Sequence, residues 1–131
     1  MAGGAITVAI APGELIDKIT ILAIKLDRIT DPAKLENIRR EMDNLARTRA
    51  EMLPQSEELD TLTLELKEVN ERLWQIEDDI RACEAAGDFG PGFIELARAV
   101  YINNDQRAGA KRAINILLGS DIFEEKSYQP Y

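Results

Sequence analysis

Residues 56–87 read SEELDTLTLELKEVNERLWQIEDDIRACEAAG. Within them Leu59, Leu62, Leu66, Val69, Leu73, Ile76 and Ile80 recur at alternating steps of three and four. A helix that turns 100° per residue brings such a series onto one stripe, which has to be covered by other helices. The Ser56 hydroxyl can cap the first turn, and Gly87 can take the left-handed conformation that ends a helix. The spacing therefore predicts one helix of about 30 residues, ~45 Å long, as the central element of a bundle. The seam has two readings at this point: core packing within one chain, or a coiled-coil dimer along the long helix.

Working outward, the same signals recur on both sides. Pro12 after Ala11 opens a helix running to about Ile29, in which Leu15, Ile19, Leu22, Leu26 and Ile29 form one stripe while Ile16, Ile21 and Ile24 cover the rest. A helix apolar on nearly all sides is a buried one. Asp31-Pro32 opens a second helix that ends at Pro54, with Leu35, Ile38, Met42, Leu45 and Met52 on its apolar side. Beyond Gly90, a helix is expected over Pro91–Ile102, then a kink or a new cap at Asn103-Asn104-Asp105, then a last helix to about Leu118 with Gly119 closing it. The fold class is all-α: an irregular antiparallel helical bundle over 12–119 with one long central helix, in a single domain spanning 1–131. Ile6, Val8 and Ile10 alternate with Thr7 and Ala9, so a short N-terminal strand is expected within 1–11. Its partner would be the tail near Lys126–Tyr131 or a strand from a second subunit. Residues 120–131 are rich in aromatic and apolar side chains and are expected to dock.

Composition narrows the function classes. The chain has 131 residues, 45% of them hydrophobic and 31% charged, with a net charge of −8 and no histidine. The missing imidazole removes Ser/His/Asp arrangements, His general bases and His metal sites together. No metal or cofactor is expected. The negative charge disfavours nucleic acid and anionic membranes as partners, since both reward added cations. It is unevenly spread: residues 56–88 hold eleven acidic against three basic side chains, while 98–112 hold Arg98, Arg107, Lys111 and Arg112 against Asp105 alone. Cys83 is the only cysteine, so no disulfide can form within the chain, and a reducing, cytoplasmic setting is expected. The six-residue apolar run Ala5–Ile10 is too short for a signal-peptide core or a membrane span.

Polar residues flanking the seams form the candidate site. Asn70, Trp74, Glu77 and Arg81 fall in a narrow band beside the stripe of the long helix, and Arg107 and Lys111 share a face with Ile114 and Leu118. Lys18 lies on a flanking stripe of the first helix. One reading is structural, with Lys18 or Arg107 paired to Glu77, Arg81 to Glu84 or Asp78, and Asn115 on a chain end. The other is an anion site in which Lys18, Arg81, Arg107 and Lys111 converge on a phosphate or carboxylate that Asn70 and Glu77 orient. The acidic run Glu77-Asp78-Asp79 points three ways on a helix and reads as a solvated face.

The segments PGELIDKITILAIKLDRI (12–29), VNERLWQIEDDIR (69–81), FIELARAVYINNDQRAGAKRAIN (93–115) and GSDIFEEKSY (119–128) resemble a small family of uncharacterised bacterial and phage proteins. Its members stand alone or are joined to repeat-containing or glycosyltransferase-like proteins linked to surface polysaccharide, which implies a pathway context and no particular activity. LIDKITILAIKLDRI is also similar to the opening helix of all-helical chorismate mutases. Gly13 stands where that class would need an arginine, so its carboxylate clamp is missing. The leading reading is a non-catalytic binding or assembly module, homodimeric, with a protein or a small anionic metabolite as further partner. The alternative is an enzyme or sensor for a phosphorylated or carboxylated metabolite such as a sugar phosphate or nucleotide sugar.

Overall fold

The structure is a computed structural model that describes residues 4–131. It consists of four helices, α1 (Pro12–Arg28), α2 (Pro32–Met52), α3 (Glu57–Ala86) and α4 (Pro91–Leu117). Local chemistry sets most of their ends. Asp31 accepts from the Lys34 amide at 3.0 Å, and Ser56 accepts from the Leu59 amide at 3.1 Å, so two orphan donors are met by side-chain caps. Gly87 at φ 65° closes α3, the Asp88 amide reaching back to the Cys83 carbonyl at 2.9 Å. Gly119 at φ 64° closes α4 in the same way.

α1 is the hub. It packs against α2, α3 and α4, whereas α2 packs on α1 and meets α3 through Arg49 and Asp60 at 3.9 Å, and α3 and α4 form a long antiparallel hairpin. Leu15, Ile16, Ile19, Leu22 and Ile24 are buried around its circumference, as an all-round apolar pattern requires. At the centre, Ile16, Leu59, Leu66 and Ile114 are at most 1% exposed, with Leu53, Leu62, Ala110 and Leu118 packed around them. This core is confined to one end of the hairpin. Past Asn70 no residue of α3 is buried, and before Ile114 no residue of α4 is. The distal half of the hairpin is thus a two-helix arm, its seam residues Leu73, Ile76 and Ile80 only half covered.

Two expectations are corrected. No strand occurs among the described residues. Ile6 and Val8 are 86% and 69% exposed, and residues 1–3 of the expected strand segment lie outside the described residues. Alternation marks two faces but cannot supply an edge to pair with, and the tail, the expected partner, is committed to α4 through Lys111, Arg112 and Asp105. The second correction is that α4 runs unbroken through Asn103 and Asn104. The Asn103 amide donates to the Ala99 carbonyl at 2.8 Å and its oxygen accepts from Arg72 Nε at 2.9 Å, so the side chain finds partners without capping a new turn. None of the described helices is long and apolar enough to cross a membrane.

Candidate functional site

The polar centre of the molecule is built on Asp17, which α1 places 1% exposed between α3 and α4. An ionised carboxylate in such a place needs a cation and hydrogen bonds to offset its lost hydration. Arg107 supplies the cation bidentately, Nε to Oδ1 at 3.0 Å and an Nη to Oδ2 at 2.5 Å. Asn70 donates to Oδ1 at 2.9 Å and to the Thr20 hydroxyl at 3.0 Å, while that hydroxyl donates to the Asp17 carbonyl at 2.8 Å. The hydrogen bond to Asp17 is the main reason the Arg107 guanidinium is held above its ordinary range, against a burial effect of opposite sign.

About one turn away along both helices a second set ties the start of α1 to α4 and the tail. α1 has no side-chain cap of its own at Ala11. Asn115 provides one from α4, its oxygen accepting from the Gly13 amide at 2.7 Å. The approach demands glycine, because a Cβ at position 13 would stand 2.3 Å from the Lys111 carbonyl oxygen. Lys111 in turn donates to Glu14 at 2.7 Å and to Glu124 of the tail at 3.1 Å. Burial alone would lower the Lys111 ammonium, but the bonds to Glu14 and Glu124 outweigh it and hold it raised, while the same lysine keeps Glu124 below its ordinary value. The tail continues back along α4, with Arg112 over the Phe123 ring at 5.2 Å and the Tyr131 hydroxyl on Asp105.

These sets define two cavities that meet at Arg107. A groove of about 500 Å³ beyond the core is lined by Ile21, Ile24, Asn70, Leu73, Trp74, Glu77, Arg81, Val100 and Arg107. A polar hollow of about 530 Å³ lies between Glu14, Lys111, Arg112, Glu124 and Lys126. Of the residues singled out in the sequence, Asn70, Glu77, Arg81 and Arg107 therefore share the groove, Lys111 lies in the hollow, and Lys18 lines neither, sitting 3.7 Å from Glu14. The expected pairings are also revised. Arg107 binds Asp17 and not Glu77, and Arg81 binds Glu77 at 2.7 Å and not Glu84 or Asp78.

Chemically this is a satisfied network. Every buried side-chain donor and acceptor among the described residues has a partner, and each cation facing the two cavities except Lys126 is already matched to a carboxylate. No three of Cys, Asp and Glu among the described residues gather as a metal site. Asp17, Thr20 and Glu124 were not singled out by the sequence, and Asn115, expected on a chain end, caps the start of α1. A charge inside the all-round apolar α1 is the signal that could have found Asp17. A family described as a family of unknown function (DUF6165) matches residues 6–131. No curated protein and no solved structure matches the chain.

Proposed function

The chain belongs to that family of unknown function, and from its own residues we propose a non-catalytic helical assembly module that works as a homodimer. The observation that carries this reading is surface. The chain exposes 9158 Å², whereas a compact monomer of 131 residues exposes about 6,900 Å². The exposed termini, with Ile6 and Tyr131 among them, and the half-covered arm both contribute to the difference. The paired state of Arg81, Arg107 and Lys111 adds weight, since a cation bound to a carboxylate has little left for a free anion. A cytoplasmic setting fits the lone half-buried thiol of Cys83. Where such a chain is joined to a repeat or glycosyltransferase-like protein, as the sequence resemblance implies, a small acidic dimer would bring two copies of that partner together. Light scattering and sedimentation of the purified chain at tens of micromolar test the reading: a dimer is the expected result, and a monomer removes it.

The second reading, an enzyme or sensor for a small phosphorylated or carboxylated metabolite, draws on the groove that gathers Asn70, Glu77, Arg81 and Arg107. A thermal-shift screen with phosphate, sulfate, sugar phosphates, nucleotide sugars and dicarboxylates separates the two. A ligand at a hundred times its dissociation constant adds about 2.7 kcal/mol, several degrees for a domain of this size. The assembly reading expects no shift from any of them.

A further inference from the structure

α1 fills the channel between α3 and α4 only part of the way. Its last turn is anchored where Arg28 reaches Gln75 at 3.4 Å, and α3 continues for eleven more residues to Ala86, about 16 Å. The groove of about 500 Å³ begins at Ile21 and Ile24 and runs on from there along the hairpin. Its floor is what a helix in the α1 position would cover: Leu73 and Trp74 from α3 and Val100 from α4, with Ala97 and Phe93 on the same stripe of α4 one and two turns further out. All five are half-buried. A stripe of this kind on the core end of the hairpin is buried by α1, whereas on the arm Phe93 meets only the ring of Phe89, 5.2 Å away edge-on, and no other described helix covers Leu73, Trp74 and Val100.

Resting on the homodimer reading, we propose that this groove is the dimer interface and that its occupant is the same groove of a second copy, arm against arm about a two-fold axis. Two considerations select a second copy. The chain exposes about 2,200 Å² beyond a compact monomer, a surplus that the half-covered arm shares with the exposed termini, against the roughly 800 Å² per partner that a standard interface needs. The groove is also self-complementary in character, with an apolar centre at Leu73, Trp74 and Val100 and a rim in which Arg81 lies beside Glu77 and Asp78. Charge then selects the direction. Residues 77–88 carry five carboxylates against Arg81 alone. Parallel arms would set two such tips side by side, whereas antiparallel arms separate them and bring each tip toward the exposed Arg98 of its partner. The arms so joined form an intermolecular four-helix layer with Trp74 inside it.

Trp74 is the only tryptophan, so its fluorescence reports this surface alone. The experiment compares the wild type with Ala97→Glu, which puts a charge on the apolar stripe of α4 one turn beyond Val100, with Arg81→Glu, which changes an exposed rim residue, and with Leu64→Glu as a control on the opposite side of α3, where the side chain is 57% exposed. Circular dichroism and a cooperative thermal transition check that the core of each variant, around Ile16, Leu66 and Ile114, still folds even where the arm frays. The expected result is a wild-type dimer and a Leu64→Glu dimer, with Ala97→Glu monomeric, Arg81→Glu weakened, and Trp74 red-shifted and more open to acrylamide in both. If the wild type is a dimer but both groove variants remain full dimers with Trp74 unchanged, the interface lies elsewhere and the groove assignment is overturned while self-association stands. A wild-type monomer at tens of micromolar overturns both.

Discussion

At the scale of single residues the fold depends on a carboxylate held out of water. Asp17 is 1% exposed and its charge is answered by Arg107, whose side chain keeps 32% of its surface in solvent. Replacing Arg107 with Met leaves Asp17 with Asn70 as its only side-chain donor. Because part of the guanidinium is screened, the loss should lie at the low end for a broken buried pair, about 3 kcal/mol by urea denaturation. The double variant Asp17→Leu with Arg107→Met should recover most of it, since two apolar side chains need no compensation. A loss below about 1 kcal/mol for Arg107→Met would show that the pair does not hold these helices together. Gly13→Ala tests the other contact: a methyl 2.3 Å from a backbone oxygen cannot be relieved by a side-chain rotation, so a loss of about 1–3 kcal/mol is expected. These contacts were half legible. Arg107, Asn70 and Lys111 stood out as polar residues beside apolar stripes, and they do sit at the seams. Their partners were not legible, because Asp17 and Arg107 are 90 positions apart and meet only through the packing register of α1 on α4. Periodicity gives a face and leaves the register open.

At the scale of elements, α1, α2 and α3 were readable from caps, prolines and stripes because those signals are local. The break expected at Asn103-Asn104 was a local signal overruled by a distant one, since Arg72 of α3 occupies the oxygen that could have capped a new helix. Continuity of α4 makes a further prediction. Gly109 lies inside it with nothing within 4 Å of where a Cβ would stand, so Gly109→Ala should stabilise the chain by roughly 0.5–1 kcal/mol. A loss of stability there would mean that α4 bends at this point. The tail is governed by charge. Glu124 is lowered, chiefly by its bond to Lys111, so its contribution is present above its ordinary 4.5 and is lost as pH falls through the lower folded value. Lys111 is raised despite burial, so its contribution is present below its ordinary 10.5 and is lost as pH rises through the higher folded value. The tail should thus be held between those limits and released outside them. Amide relaxation of residues 121–131 across pH checks this, and Lys111→Gln should release the tail throughout. The stake is small, no more than about 1 kcal/mol, because Glu124 is 60% exposed.

At the scale of the whole molecule the core and the length of the hairpin do not match. The seam of α3 reads as one continuous stripe from Leu59 to Ile80, which is why the sequence left a coiled-coil dimer open beside core packing. Core packing holds for one half of the helix: Leu59, Leu66 and Val69 are buried within the chain, and beyond Asn70 burial stops although the pattern does not, which is the stretch the proposed dimer would cover. A two-helix arm by itself buries too little apolar surface to be firmly ordered, so its order should depend on the second copy. Folding of a dimer carries a concentration term, and tenfold more protein adds about 1.4 kcal/mol per dimer. For about 260 residues unfolding together that is roughly 3 °C in midpoint per decade of concentration. Hydrogen exchange should divide the same way. Amides near Ile16, Leu66 and Ile114 should keep their protection at every concentration, while those of residues 76–86 and 93–100 should lose it on dilution, since their hydrogen bonds are shielded only while the arms are joined. A midpoint independent of concentration, with the arm as protected as the core in a monomer, would mean that the hairpin is ordered by its own seam and that its uncovered stripe serves some purpose other than self-association.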